Sequence, residues 1–263
     1  AGQTSVLKFN GSSANTFVGV SVSSAGDIND DGTPDFIIGA TGDTGDGVVY
    51  VVFGDDLAGL SSTLSNSATS GFNLNSLNGG NGGFKLTNGS SPVANLTAGL
   101  SVRNIGDFDG DGIDDIVVGA PGSATFRGLA FVVYGKPTGF SNIELTDLDG
   151  TNGGFQIIGG TNSGNLGFSV SGAGDFNGDG FDDVIVGAPG VSESYIIFGD
   201  TKTDIEAVLT QPFGVLPQLF EVGAGGVNLD GTNGLVLKGA SGDSAGFSVA
   251  AAGDVNNDGF DDV

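Results

Sequence analysis

Cysteine, histidine, methionine and tryptophan are all absent from this chain. Without cysteine there are neither disulfides nor thiolate chemistry. The further loss of histidine removes the commonest general base, the serine-triad base and the usual transition-metal ligands. Basic residues are scarce too: seven Lys and Arg stand against 31 Asp and Glu, a formal charge of −24. Such a polyanion is repelled by nucleic acid and by anionic lipid, and it suits metal cations. No apolar run is long enough to span a bilayer, and the first residues show no signal-peptide pattern. The expectation is therefore a soluble mature chain with no direct membrane insertion. Proline is sparse, and the 51 glycines follow no Gly-X-Y period, which excludes collagen.

What the chain does have is apolar residues, 38% of 263, enough for a packed core. It also has an internal repeat, and repeats decide architecture. Four acidic loops begin at Asp27, Asp107, Asp175 and Asp254, spaced 80, 68 and 79 residues apart. Eight residues before each stands Gly19, Gly99, Gly167 or Gly246. An apolar residue follows (Val20, Leu100, Phe168, Phe247), then Ser21, Ser101, Ser169 or Ser248, then Val22, Val102, Val170 or Val249.

Each unit reads as four short strands. GFSVSGAGD alternates apolar and small residues, the mark of a strand packed closely on one face. After the loop, FIIGA, IVVGAP and VIVGAP are continuous apolar runs suited to strands buried on both faces. VVYVVFGD, LAFVVYG and SYIIFGD form a third type, and VLKFNG, GFKLTNG, GFQIIGG and LVLKGA a fourth. Lys8, Lys85 and Lys238, in or beside that fourth strand, are suited to shielding an outer edge. No segment shows a convincing helical period. Between the third and fourth strands run two long stretches, residues 55–83 and 202–234, expected to be surface excursions, the Ser/Asn-rich first one partly disordered. The units span approximately 5–56, 82–137, 153–200 and 233–263. Four-stranded units at this spacing predict an all-β fold, a β-propeller or another β-array.

The acidic loops carry oxygen at alternate positions. Counting the first Asp as one, positions 1, 3, 5 and 9 are Asp27, Asn29, Asp31, Asp35; Asp107, Asp109, Asp111, Asp115; Asp175, Asn177, Asp179, Asp183; and Asp254, Asn256, Asp258, Asp262. Position 6 is always glycine, and position 7 (Thr33, Ile113, Phe181, Phe260) offers its backbone carbonyl. Asp114, at position 8, falls outside the alternation and is expected to face solvent. Asp, Asn and Gly are also good turn formers, but a turn alone does not require oxygen at the same four positions four times. An EF-hand needs an acid at position 12, where this chain has Ile38, Val118 and Val186 inside strands. A β-loop calcium site remains, with up to four Ca²⁺, one per loop. The loops hold 17 of the 31 acidic residues, and four Ca²⁺ would move the net charge from −24 to −16. Magnesium, which demands strict octahedral geometry, is a poorer match.

GFSVSGAGDFNGDGFDDVIVGAPG resembles the FG-GAP repeat of integrin α-subunit propellers and their bacterial relatives: a Phe-Gly region, a D-x-[DN]-x-D-G-x-x-D loop and Gly-Ala-Pro. The first copy departs from it, with Gly39, Ala40 and Thr41 in place of Gly-Ala-Pro. The resemblance implies a β-propeller of four-stranded antiparallel blades with calcium in the loop after each inner strand. It implies about seven blades, against three complete units and part of a fourth here, so the expectation is a partial propeller or a fragment of a seven-bladed one. It further implies a secreted or cell-surface location and adhesion to an extracellular protein or glycan ligand, with self-assembly into a surface structure as the other possibility. The contrasting class is a calcium-dependent polysaccharide-active enzyme, lyase-like, for which Glu144, Glu193, Glu206 and Glu221 are the carboxylates outside any motif.

Overall fold

The computed structural model describes residues 8–11, 14–43, 45–54, 72–79, 82–88, 95–122, 127–209, 219–222, 229 and 231–263. Three blades follow one another. The first pairs β2 (Val18–Gly26), β3 (Asp35–Ala40), β4 (Val48–Val52) and β6 (Gly83–Thr87), antiparallel and in that order. The second pairs β7 (Ser101–Gly106), β8 (Asp115–Ala120), β9 (Leu129–Val133) and β11 (Gly154–Gly159). The third pairs β12 (Val170–Gly174), β13 (Asp183–Ala188), β14 (Glu193–Ile197) and β16 (Gly234–Lys238). The inner strand β7 lies against both β2 and β12. The sheets stack as propeller blades do.

The continuous apolar runs are explained by this stacking. In β9, Leu129, Phe131 and Val133 join the core shared with the first blade, while Ala130 and Val132 join the core shared with the third. Both faces of a middle blade are thus buried, and a two-residue period leaves no polar position. In the first blade the outward face of β4 is covered too, with Val48, Tyr50 and Val52 packed against Phe9, Phe72, Leu74 and Leu77, and only the inner strand is left open. Val22 is 62% exposed, whereas its counterparts Val102 and Val170 are 0% and 1% exposed.

The glycines that mark the repeat meet across these junctions. A side chain on Gly119, at the end of β8, would stand 2.1 Å from the Gly167 carbonyl oxygen of the next blade. Gly39 against Gly99 and Gly187 against Gly246 repeat the contact at 2.0 Å. Backbone touches backbone there, so neither partner tolerates a Cβ.

The long stretches between third and fourth strands are more than surface excursions. In each of the three units the segment between third and fourth strands carries a short strand that pairs in parallel with the fourth-type strand before it. β5 (Phe72–Asn73) pairs with β1 (Phe9–Asn10), β10 (Ile143–Glu144) with β6, and β15 (Leu219–Val222) with β11. Residues 55–71, expected to be partly disordered, lie outside the described residues. The second long stretch also forms a helix, α1 (Lys202–Leu209), where no helical period was expected. Thr201 caps its start: the Thr201 hydroxyl accepts from the Asp204 N–H at 3.4 Å and donates to Asp204 Oδ2 at 2.5 Å. Ile205 and Leu209 bury one side of α1 against the core of the second and third blades. In the fourth unit the expected inner strand is reduced to a bridge between Gly253 and Asp262.

Candidate metal centre

Each of the first three acidic loops joins an inner strand to its neighbour, and its ninth residue opens the second strand. Gly26 pairs with Asp35, Gly106 with Asp115 and Gly174 with Asp183. The loop is held in a curl by its own carboxylates. The first Asp reaches across to the glycine at position 6: Gly32, Gly112, Gly180 and Gly259 donate to Oδ2 of Asp27, Asp107, Asp175 and Asp254 at 2.8–3.0 Å. These glycines have φ between +87° and +96° with open space around them, so the bend itself sets their identity. Position 5 closes the turn, with Asp31, Asp111, Asp179 and Asp258 accepting from the N–H of Thr33, Ile113, Phe181 and Phe260. At position 3, Asn29, Asp109 and Asn177 turn Oδ1 inward and accept from the N–H of position 5.

Position 9 ties the loop to the blade. Oδ1 of Asp35, Asp115 and Asp183 accepts from the N–H of Gly54, Gly135 and Gly199, the glycine just beyond the third strand, at 2.8–2.9 Å. Asp115 Oδ2 takes two more, from Phe108 at 3.0 Å and Asp109 at 3.3 Å. These carboxylates are buried, and burial is the leading reason that Asp35 and Asp183 are pushed up to about 7. Burial likewise holds Asp115 well above the ordinary carboxylate range, with the charge of Asp109 adding to it. Asp109 rises to about 6, through burial and the charge of Asp111, with Lys202 pulling it the other way.

The second loop is the most concentrated. Oxygens of Asp107, Asp109 and Asp115 lie within 4.8 Å of one another. Asp107 Oδ1 is buried with no hydrogen-bond partner, as is Asp35 Oδ2 in the first loop. A buried, unpartnered carboxylate oxygen beside two other carboxyls is unfavourable unless a cation meets it. An all-oxygen donor set on a flexible loop, with no nitrogen or sulfur, fits a hard cation of calcium's size. The Lys202 ammonium, at the start of α1, sits 5.4 Å from the centre of the Tyr134 ring beside this loop. The fourth loop repeats the curl, but Asp254, Asn256, Asp258 and Phe260 are exposed and Asp262 is half-buried.

Three acidic residues have a role that sequence reading missed. Asp114 does not face solvent: its Oδ2 accepts the Asp27 N–H of the preceding loop at 2.7 Å. Asp182 does the same for Asp107 at 2.9 Å, and Asp261 for Asp175 at 3.1 Å. Recurrence of Asp at position 8 in three of four loops, Pro34 being the exception, was the available signal. The carboxylates left over for acid–base chemistry are partly committed to structure. Glu193 pairs with Lys238 at 2.9 Å and accepts the Tyr195 hydroxyl, and Glu144 accepts the Thr87 hydroxyl at 2.8 Å. The Glu221 side chain lies outside the described residues.

The FG-GAP repeat family model matches residues 18–52, 99–133 and 166–205, which are the inner-strand-to-third-strand portions of the three blades. The chain is 32% identical over 198 residues to integrin alpha-V of Gallus gallus, covering 73% of this chain and 17% of that protein. It is 39% identical over 164 residues to integrin alpha pat-2 of Caenorhabditis elegans, 60% of this chain and 12% of that one. It is also 36% identical over 140 residues to a phosphatidylinositol-glycan-specific phospholipase D of Rattus norvegicus, 48% of this chain and 16% of the enzyme. The chain thus spans less than a fifth of the length of these relatives.

Proposed function

This chain belongs to the FG-GAP repeat family, and from that premise we propose that it is a calcium-binding extracellular β-propeller module. It acts in adhesion or ligand recognition, or as a structural component of a cell-surface assembly. Calcium is assigned to each acidic loop through the side chains at positions 1, 3, 5 and 9 and the carbonyl at position 7. The observation that carries this reading is the buried, unpartnered Asp107 Oδ1 on a residue that brings a carboxylate oxygen within 4.8 Å of those of Asp109 and Asp115. A bound Ca²⁺ would supply the charge that these oxygens face.

What the chain's own residues do follows from the loop frame. Position 9 anchors each loop to the end of the third strand, so a cation held there fixes the blade as well as the loop. Rigid blades then display the segments between strands, the usual use of such a scaffold. Thermal unfolding tests the metal. Excess chelator should lower the melting temperature and calcium restore it, since a ligand bound by the native state alone stabilises it by mass action. An unchanged melting temperature sinks the assignment.

Similarity to two integrin α chains favours a protein or glycan ligand at the cell surface. Chelator-sensitive hits on a glycan or matrix-protein array support recognition, whereas calcium-dependent self-assembly without hits supports the structural role. Similarity to part of a phospholipase D gives the chain an enzymatic relative, and the second reading is an enzyme, taken here as a calcium-dependent polysaccharide-active one, lyase-like. Turnover of any polysaccharide by the purified chain would decide for it.

A further inference from the structure

The loops do not stand apart. Each is gripped, at the residues that begin it, by the loop of the next blade. Asp107 donates its N–H to Asp182 Oδ2 at 2.9 Å, and Asp182 returns its own N–H to the Asp107 carbonyl at 3.3 Å. Asp175 and Asp261 repeat this reciprocal pair at 3.1 and 3.3 Å. One residue further on, the carbonyl of Ile28 accepts from Lys136, and that of Phe108 from Asp200, at 3.0 and 3.1 Å. Lys136 and Asp200 directly follow Gly135 and Gly199, the glycines that donate to position 9 of their own loop. Side chains complete the contact: a Cβ on Gly110 would stand 2.3 Å from the Phe181 ring, and one on Gly178 the same distance from Phe260.

The eighth residue lies between two proposed ligands, the carbonyl at position 7 and the carboxylate at position 9. Whatever orders those two also fixes the carboxylate between them. That carboxylate in turn fixes position 1 of the loop before, whose side chain is itself a proposed ligand. We propose that Asp114, Asp182 and Asp261 are positioning residues that couple cation binding from loop to loop, so that loading one loop raises the affinity of its neighbour. This rests on the calcium reading above. Coupling of this kind is reciprocal, and its ordinary range is about 5- to 150-fold in affinity.

A calcium titration of the full chain, followed by amide resonances, tests it. The Gly112 and Gly180 N–H groups donate to Asp107 and Asp175, so each reports its own loop. The first variant is Asp179→Ala, an exposed ligand position of the third loop. It alters nothing in the second loop, yet the half-saturating calcium at Gly112 should rise about fivefold or more. Asp31→Ala, likewise exposed, should raise the same midpoint from the other side through Asp114. Asp182→Ala should make the Gly112 and Gly180 curves independent and shallower, and Asp182→Asn, which keeps an oxygen acceptor, should restore most of the coupling. If Asp179→Ala and Asp31→Ala leave the Gly112 midpoint where it was, the coupling is overturned while the calcium sites stand. If no glycine amide responds to calcium, both readings fall.

Discussion

The aspartate at position 9 does two jobs with opposite demands. As an anchor it must be buried under the end of the third strand; as a proposed ligand it must be ionised. Burial, helped by the charges of neighbouring aspartates, pushes Asp35 and Asp183 up to about 7, against the N–H groups of Gly54 and Gly199, which favour the carboxylate. A cation resolves the conflict by stabilising the charged form that burial opposes. The anchor role can be measured separately from the ligand role. Asp115→Ala leaves the buried N–H groups of Phe108, Asp109 and Gly135 without an acceptor. At about 1–3 kcal/mol for a buried unsatisfied group, the loss should reach roughly 3 kcal/mol or more in urea unfolding with chelator present. Asp147→Ala, at an exposed position in a 3-10 turn, should stay within about 0.5 kcal/mol. Equal effects would show that the carboxylate matters only as a ligand.

At the scale of elements, the blades are laced by what lies between them. β10 and β15 come from the excursions of the second and third blades and close the outer edges of the first and second. Such pairing hides edge N–H and C=O groups, which the outer-strand lysines alone were expected to protect. Lys85 donates to Asn75 at the surface, bonding its carbonyl at 3.0 Å and its side-chain oxygen at 3.1 Å, while Lys238 pairs with Glu193. The helix α1 is part of the same lacing. Ile205→Ala removes a buried side chain from the core shared by the second and third blades, and should cost about 2–4 kcal/mol by urea unfolding. A loss below about 0.5 kcal/mol would mean that α1 is not docked.

Which of these elements the sequence announced follows from their length and their neighbours. The strands of five or six residues from both-face-buried runs were legible, because stacking makes every position apolar. The two-residue strands β5 and β10 carry no pattern, being defined only by the edge they join. The eight-residue helix is too short to show a period, although Thr201 three residues ahead of Asp204 was a readable helix-start signal. The curl of each loop was legible from the alternation of Asp, Asn and Gly within one chain segment, and the same alternation selects the positions proposed as ligands. The linking role of Asp114, Asp182 and Asp261 was not, because it acts between loops 68 to 80 residues apart.

Over the whole molecule, stability should depend on pH in opposite ways with and without calcium. Asp35 and Asp183 hold their protons to about 7 and Asp109 to about 6 in the fold, while an unfolded aspartate ionises near pH 3.9. The native chain therefore binds more protons than the unfolded one between about pH 4 and 7, and stability must fall as pH rises through that window. Growing repulsion among charges that total −24 near neutrality acts in the same direction. Calcium held at the proposed loop sites would compete with those same protons. Its affinity should climb as the carboxylates ionise, so its stabilising effect is small at pH 5 and largest above 7. Melting temperatures measured from pH 4.5 to 8 on dialysed, metal-depleted protein should fall steadily. Those measured in excess calcium should hold or rise, so that the two curves diverge towards alkaline pH. A gap that stays constant with pH would mean that the bound cation does not contact the buried carboxylates, and a depleted protein that gains stability towards pH 8 would mean that their burial is not the dominant electrostatic cost of the fold.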